Sequence, residues 1–186
     1  MTDSKLRDLE RRFHATGVLA DEAALLRGRV QAGELTLARL SAAAELGHAG
    51  AKAALGARAT RQAEPPQAAV TFETFACADH VTLYVTGHYG LGSLGNVDAA
   101  AIQTALGEAL LMAGRRKVTL DMSCMSYRWG DALCRLLLLE PKVDLDYVFN
   151  RECSEAWNGI LSLASPHWLE GLETRYRFRS PTQAPE

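Results

Sequence analysis

The hydrophobic positions of this chain follow a helical period in its first third and an alternating period after it. In residues 1–59 apolar side chains recur at three- and four-residue steps, as at Leu6, Leu9 and Phe13, with charged residues on the opposite side. Gly33 is placed to end one helix, and Thr36 to be the N-cap of the next. The pattern predicts a small all-α module of short helices over residues 1–59, which must pack on each other or on a partner to be stable.

A change of periodicity marks a second unit. Residues 60–69 are rich in proline, alanine and glutamine and include Pro65-Pro66, which predicts a stiff linker. Alternation then predicts two strands around a turn at Cys77-Ala78-Asp79. The later elements that we predict are a helix over Asp98–Met112, a strand over Lys117–Met122, a helix over Asp131–Leu139, a strand over Leu145–Phe149, a helix over Ser154–Ala164 and a strand over Arg175–Arg179, followed by a flexible tail at 181–186. The order β-β-α-β-α-β-α-β predicts an α/β domain with a mixed sheet over residues 70–180.

Composition narrows the class of protein. The 186 residues are 48% hydrophobic and 23% charged with a formal net charge of -2, the balance of a soluble globular protein. A pI of 6.2 disfavours nucleic acid as a partner. No stretch approaches the roughly 20 apolar residues that cross a bilayer, and Met1–Lys5 is polar, unlike a secretory signal. We therefore expect a cytoplasmic protein with no membrane partner.

The four cysteines do not form a metal-binding pattern. They are Cys77, Cys124, Cys134 and Cys153, with no CxxC pair. Cys77-Ala78-Asp79-His80 is half of a zinc site without a second half, and structural zinc sites use four ligands. We expect reduced thiols and no bound metal.

A glycine-rich segment offers a ligand-binding alternative. Gly90-Leu91-Gly92-Ser93-Leu94-Gly95 matches GxGxxG between a strand and a helix, as in dinucleotide sites. However, the next helix is expected to begin only at Asp98, and Asp121, which we place at the end of the next strand, lies 31 residues after Gly90 instead of about 20. We interpret the segment as a connecting loop, expect no cofactor, and keep nucleotide binding as an alternative.

The strongest family signal lies in residues 118–137. They read Val118-Thr119-Leu120-Asp121-Met122-Ser123-Cys124-Met125-Ser126-Tyr127-Arg128-Trp129-Gly130-Asp131-Ala132-Leu133-Cys134-Arg135-Leu136-Leu137. It resembles the signature of STAS domains, the anti-sigma-factor antagonist family, in which an apolar strand is followed by Asp-Leu-Ser and by Asp-Ser-Ser-Gly-Leu at the start of a helix. The resemblance extends loosely over residues 70–180. It implies a STAS-like fold whose loop before that helix binds a kinase-like or regulatory protein.

The chain departs from that signature where the family is phosphorylated. Trp129 replaces the family aspartate, Gly130 the first serine, Asp131 the phosphorylated serine and Ala132 the glycine. The resemblance thus implies a site without its phosphate acceptor, with a permanent carboxylate at Asp131 that can also be a simple helix cap. The protein-binding residues that we predict are Ser123, Ser126, Tyr127, Arg128, Trp129, Gly130 and Asp131. As an alternative, Tyr127 and Trp129 pack beneath the sheet edge.

Three further patterns complete the prediction. Residues 42–56 resemble one unit of a Sel1-type helical repeat, with an alanine-rich bundle as the alternative. Part of the same segment also resembles the oxyanion-hole segment of crotonase-fold enzymes, namely Tyr127-Arg128-Trp129-Gly130-Asp131-Ala132-Leu133. This second resemblance implies an acyl-CoA-handling enzyme. However, no Glu or His is clearly placed as the base that such an enzyme needs. Arg175, Arg177 and Arg179 suit the protection of an exposed sheet edge better than an anion stripe. We predict a non-enzymatic regulatory or scaffolding protein that binds partner proteins, with self-association left open.

Overall fold

Helices come first in the chain, and a sheet with further helices follows. The computed structural model describes residues 3–57, 68–128, 132–133, 136, 143, 145–163 and 176–178. Its described helices are α1 (Asp3–Thr16), α2 (Leu19–Gln31), α3 (Leu37–Glu45), α4 (Ala49–Ala54), α5 (Gly95–Ala113) and α6 (Arg151–Leu163). Its described strands are β1 (Val70–Ala76), β2 (His80–His88), β3 (Lys117–Ser126), β4 (Leu145–Phe149) and β5 (Tyr176–Phe178). The predicted α/β fold class is confirmed. None of these helices combines the length and the apolar character that crossing a membrane requires.

The strands form one mixed sheet in chain order, β1-β2-β3-β4-β5. β1 and β2 are an antiparallel hairpin around the predicted turn at Cys77–Asp79, whereas β2, β3, β4 and β5 run parallel. A shift of register between Tyr84 and Thr86 interrupts the β2–β3 ladder. The carboxyl ends of the parallel strands therefore lie along one side of the sheet, which we call its carboxyl edge.

The described helices α5 and α6 cover one face of the sheet. Leu83 of β2 is in register with Leu120 of β3, which is in register with Tyr147 of β4. Leu83 belongs to the same buried cluster as Ile102, Leu106 and Leu110 of α5. On β4, the ring centroids of Tyr147 and Phe149 lie 6.2 and 5.3 Å from that of Trp157 of α6. Because residues in register share a face, both helices pack on the same side.

The N-terminal helices pack on the outer side of α5. Thr36 accepts a hydrogen bond from the backbone N–H of Arg39 at 3.3 Å, which confirms the predicted N-cap of α3. α3 contacts α5 where Ala43 and Leu46 approach Gly107. Leu111 of α5 is buried in the cluster formed by the N-terminal helices, and Leu46 is buried in the cluster formed by the sheet. The two hydrophobic clusters thus meet along α5.

Three arginines bind the carboxyl end of α5. Arg29 donates to the carbonyl of Leu111 at 2.9 Å and Arg39 to that of Gly114 at 2.8 Å. Arg116 donates to the carbonyls of Met112 at 2.9 Å and Ala113 at 3.2 Å. The last carbonyls of a helix have no partner within it and carry a partial negative charge, so these cations satisfy and stabilise that end.

Several predicted boundaries were wrong. α5 begins at Gly95, not at Asp98, because a 3-10 turn over Gly92–Leu94 leads directly into it. β3 continues to Ser126 beyond the predicted end at Met122, because Cys124 to Ser126 pair with β2. α6 begins at Arg151 instead of Ser154. The predicted linker lies outside the described residues apart from residues 68–69, as does the predicted helix over 131–139 apart from Ala132, Leu133 and Leu136.

Candidate functional site

The carboxyl ends of β2, β3 and β4 meet at the carboxyl edge of the sheet. Ligands of open α/β sheets bind at this kind of edge. The edge is formed by the loop over residues 89–94 after β2, by Tyr127 and Arg128 after β3, and by Asn150 before α6. All three segments are held by specific contacts.

Asp98 fixes the loop after β2 to the first turn of α5. Its carboxylate is buried and accepts hydrogen bonds from the N–H of Gly90 at 2.9 Å and of Ala69 at 2.7 Å. A Cβ added at Gly95 would lie 2.2 Å from the Tyr89 ring and 2.4 Å from the Gly90 carbonyl oxygen. Gly90 and Gly95 of the GxGxxG match therefore serve close packing, and a carboxylate already lies at the helix N-terminus where a phosphate would bind. This geometry disfavours the nucleotide-binding alternative.

The position of Asp121 disfavours it as the acid of a dinucleotide site. It lies in the middle of β3, not at its end, and is buried. Its Oδ1 accepts a hydrogen bond from the N–H of Ser123 at 2.9 Å. The prediction that Asp121 ends its strand was wrong, because β3 extends to Ser126.

The end of β3 is joined to the loop after β2. The N–H of Tyr89 donates to the carbonyl of Ser126 at 2.9 Å. The rings of Tyr89 and Tyr127 pack edge to face, with centroids 5.0 Å apart and an interplanar angle of 82°. Edge-to-face pairs of this kind add to the stability gained from burial. The two loops are therefore held side by side.

Asn150 connects β3 to α6. Its Nδ2 donates to the carbonyls of Ser123 and Met125, both at 2.9 Å, and its Oδ1 accepts from the N–H of Cys153 at 2.8 Å. The last bond is the N-cap of α6, so one side chain both starts the helix and fixes the end of β3.

Cys153 is a packing residue of this edge. Its thiol is buried and donates to the carbonyl of Met125 at 3.0 Å. Burial, with a smaller contribution from the negative charge of Glu152, raises the pKa of Cys153 to about 12. Because thiolate is the reactive form of cysteine, this thiol is unreactive near neutral pH.

The predicted binding residues divide into three groups. Ser123 and Tyr127 are only 7% and 1% exposed, so their placement on a contact surface is corrected, and Tyr127 packs against Tyr89 beneath the loop. Ser126 is half-buried, and Arg128 is exposed. Trp129, Gly130 and Asp131 lie outside the described residues.

Arg128 has a defined position although 77% of its side chain is exposed. Its Nε donates to Glu152 Oε1 at 2.9 Å. Exposed ion pairs of this kind contribute about 0–1 kcal/mol to stability. The pair therefore orients the guanidinium more than it stabilises the fold.

Two exposed leucines of the neighbouring loop were missed by the sequence analysis. Leu91 is 59% and Leu94 76% exposed. The signal was present in the sequence, as two large apolar residues within a glycine-rich segment that no helical or strand pattern uses. We call Leu91, Leu94 and Arg128 the two-loop surface, since they come from adjacent loops at one edge of the sheet.

Among the residues that the structure describes, no group of three or more His, Cys, Asp or Glu side chains is arranged to hold a metal ion.

Comparison with protein-family models, with curated proteins and with solved structures finds no match for this chain. Any functional conclusion therefore rests on the residues themselves.

Proposed function

We propose that this chain is a non-enzymatic regulatory or scaffolding protein that binds a partner protein through the two-loop surface of a STAS-like domain. The observation that carries the proposal is the exposure of Leu91, Leu94 and Arg128 on loops that are fixed from beneath. Exposed apolar groups with a polar rim are typical of protein interfaces, and arginine is enriched there.

The support beneath the surface favours binding. Asp98 fixes the leucine loop, and Asn150 and the Arg128–Glu152 pair fix the end of β3. Surfaces that are ordered before association lose less conformational entropy on binding.

Among the described residues of this edge, the polar groups of Asp98 and Cys153 are committed to structural bonds. Asp98 accepts two backbone N–H groups, and the Cys153 thiol is held in its neutral form by burial. This arrangement favours recognition over the crotonase-like alternative, which needs a base aimed at a substrate. We place the protein in the cytoplasm, because the thiols of Cys77 and Cys124 are exposed and a reducing compartment keeps such thiols free.

The proposal is tested by affinity capture from the native host with matched variants of the full chain. We expect Leu91→Ser with Leu94→Ser, and separately Arg128→Ala, to reduce capture of the partner at least tenfold. Leu37→Ser is the control, because Leu37 is 60% exposed on α3, away from this edge. A partner that the two-loop variants retain at wild-type level, with thermal unfolding unchanged, would contradict the proposal.

The two alternatives are tested by thermal unfolding with acyl-CoA thioesters and with NAD or ATP. A ligand that binds only the folded state raises the melting temperature. Stabilisation by the thioesters would favour the acyl-CoA enzyme, and stabilisation by either nucleotide would favour a nucleotide site at Gly90–Gly95.

A further inference from the structure

The short helix α4 is capped by a histidine. His48 is its N-cap residue, and the ring Nδ1 of His48 accepts a hydrogen bond from the N–H of Ala51 at 3.1 Å. The residues usually found at this position are Ser, Thr, Asp and Asn, whose oxygen atoms accept such a bond throughout the neutral pH range. A ring nitrogen accepts only while it carries no proton. The cap of α4 therefore requires a neutral imidazole.

The capping bond also fixes the tautomer of this ring. Because Nδ1 is the acceptor, the proton of the neutral ring is on Nε2. Nε2 lies 3.5 Å from Oε1 of Glu22 in α2, and the side chains of His48 and Glu22 are both 13% exposed. Any further proton must go to Nδ1, which is the atom that holds the N–H of Ala51.

The carboxylate of Glu22 favours that further proton. Glu22 is packed against α4, since a Cβ added at Gly50 would lie 2.5 Å from Cδ of Glu22. An opposite charge at this distance favours the charged form of the ring, whereas burial opposes it. Packing therefore keeps a carboxylate beside the ring.

The other charged groups around α4 are fewer or already bonded. On the described helices that pack against α4, Asp21, Arg27, Arg29 and Arg39 bond to groups other than the His48 ring. The remaining charged residues of these helices and of α4 itself are Glu45 and Lys52, whose charges are opposite. Glu22 thus has the closest measured charge to the ring.

We propose that His48 is a pH-sensitive switch of α4. At neutral pH the uncharged ring caps the helix. On acidification Nδ1 takes up a proton from solvent, Glu22 retains the charged ring, and the N–H of Ala51 loses its acceptor. Since α4 has only six residues, its first turn then opens.

The proposal is tested by NMR of the full chain from about pH 8 to about pH 5, the range in which imidazole ordinarily changes its charge. Nitrogen shifts of the ring should show a proton on Nε2 alone at the upper pH and on both nitrogens at the lower. Amide exchange, corrected for its intrinsic rate, should show the protection of Ala51 falling at least tenfold. The amide of Arg39 is the internal control, because the hydroxyl of Thr36 that caps it does not titrate in this range.

Two variants identify the groups responsible. His48→Asn keeps a capping oxygen that does not titrate, so the protection of Ala51 should stay constant with pH. Glu22→Gln removes the carboxylate, so protonation of the ring should move to lower pH.

Four results would overturn the proposal. They are a proton on Nδ1 at the upper pH, unchanged protection of Ala51 in wild type, an equal fall in His48→Asn, and an unchanged midpoint in Glu22→Gln. The test is independent of the two-loop surface, whose variants should show the same transition as wild type.

Discussion

Single side chains at the carboxyl edge of the sheet each hold more than one segment of the chain. Asn150 bonds two carbonyls of β3 and caps α6, and Asp98 bonds both the loop after β2 and the backbone before β1. Because each of these groups has several partners, their loss removes several bonds at once.

Asn150→Ala should lower the free energy of unfolding by about 1–3 kcal/mol, because it removes a helix cap and leaves two β3 carbonyls without their donor. Urea denaturation measures this change. Asn150→Ser keeps a capping oxygen and loses the donor to the two carbonyls without adding a charge, so it should be less destabilising than Asn150→Ala. Equal stability of wild type and Asn150→Ala would show that the three bonds do not contribute.

The thiol of Cys153 gives stability a dependence on alkaline pH. Its pKa is raised from 9.0 to about 12 in the folded chain, so below pH 9 the thiol is neutral in both states and this contribution is intact. Above pH 9 the unfolded chain ionises first, and stability falls as the pH rises toward about 12. The free energy of unfolding, measured between pH 8 and 11, should decline less steeply with pH in Cys153→Ala than in wild type. Parallel pH profiles for the two proteins would contradict the raised pKa of Cys153.

At the scale of elements, the glycines of α5 show how packing sets a boundary. Gly95 lies against Tyr89 and the Gly90 carbonyl, whereas a Cβ at Gly107 would lie 3.6 Å from Leu46, an ordinary contact. Replacing glycine by alanine should therefore change the stability of the chain in opposite directions at Gly95 and at Gly107.

Gly95→Ala should destabilise the chain by about 1–3 kcal/mol through overpacking. Gly107→Ala should stabilise it by about 0.5–1 kcal/mol, because glycine within a helix is less favourable than alanine. Thermal and chemical unfolding of both variants checks the two signs. A stabilising Gly95→Ala would show that this helix start has room for a side chain.

Elements with a strong local signal could be predicted from the sequence, and contacts between distant segments could not. The bounds of β4, Leu145–Phe149, and the cap at Thr36 are as predicted, because periodicity and capping are local properties. The burial of Tyr127 depends on the ring of Tyr89 from another loop, so spacing alone gave two interpretations and could not choose between them. The start of α5 was missed because a turn over 92–94 continues directly into the helix.

At the scale of the whole molecule, α5 belongs to two hydrophobic clusters at once. The helices predicted as a separate module pack on α5, and Arg29 and Arg39 from that module bind its carboxyl end. Periodicity predicted that these helices must pack on each other or on a partner, but it could not identify the surface that they cover, since that depends on residues far apart in the sequence.

Arg39→Ala should lower the free energy of unfolding by about 1.5–3 kcal/mol, because the buried guanidinium bonds the Gly114 carbonyl at 2.8 Å. Arg27→Ala is the control, since the exposed bond of Arg27 to the Ala53 carbonyl is 3.4 Å long, and its effect should stay within about 0.5 kcal/mol.

Calorimetry should show one unfolding transition in wild type. Two separate transitions would mean that the helices and the sheet unfold independently.

The shared position of α5 has a consequence for anyone who exchanges parts of this protein. Cutting between residues 57 and 68 would leave one fragment with the exposed underside of α3 and the other with Leu111 and the α5 carbonyls facing water. A graft of the N-terminal helices onto a different sheet would therefore need to bring α5 along, even though α5 comes after β1 and β2 in the chain.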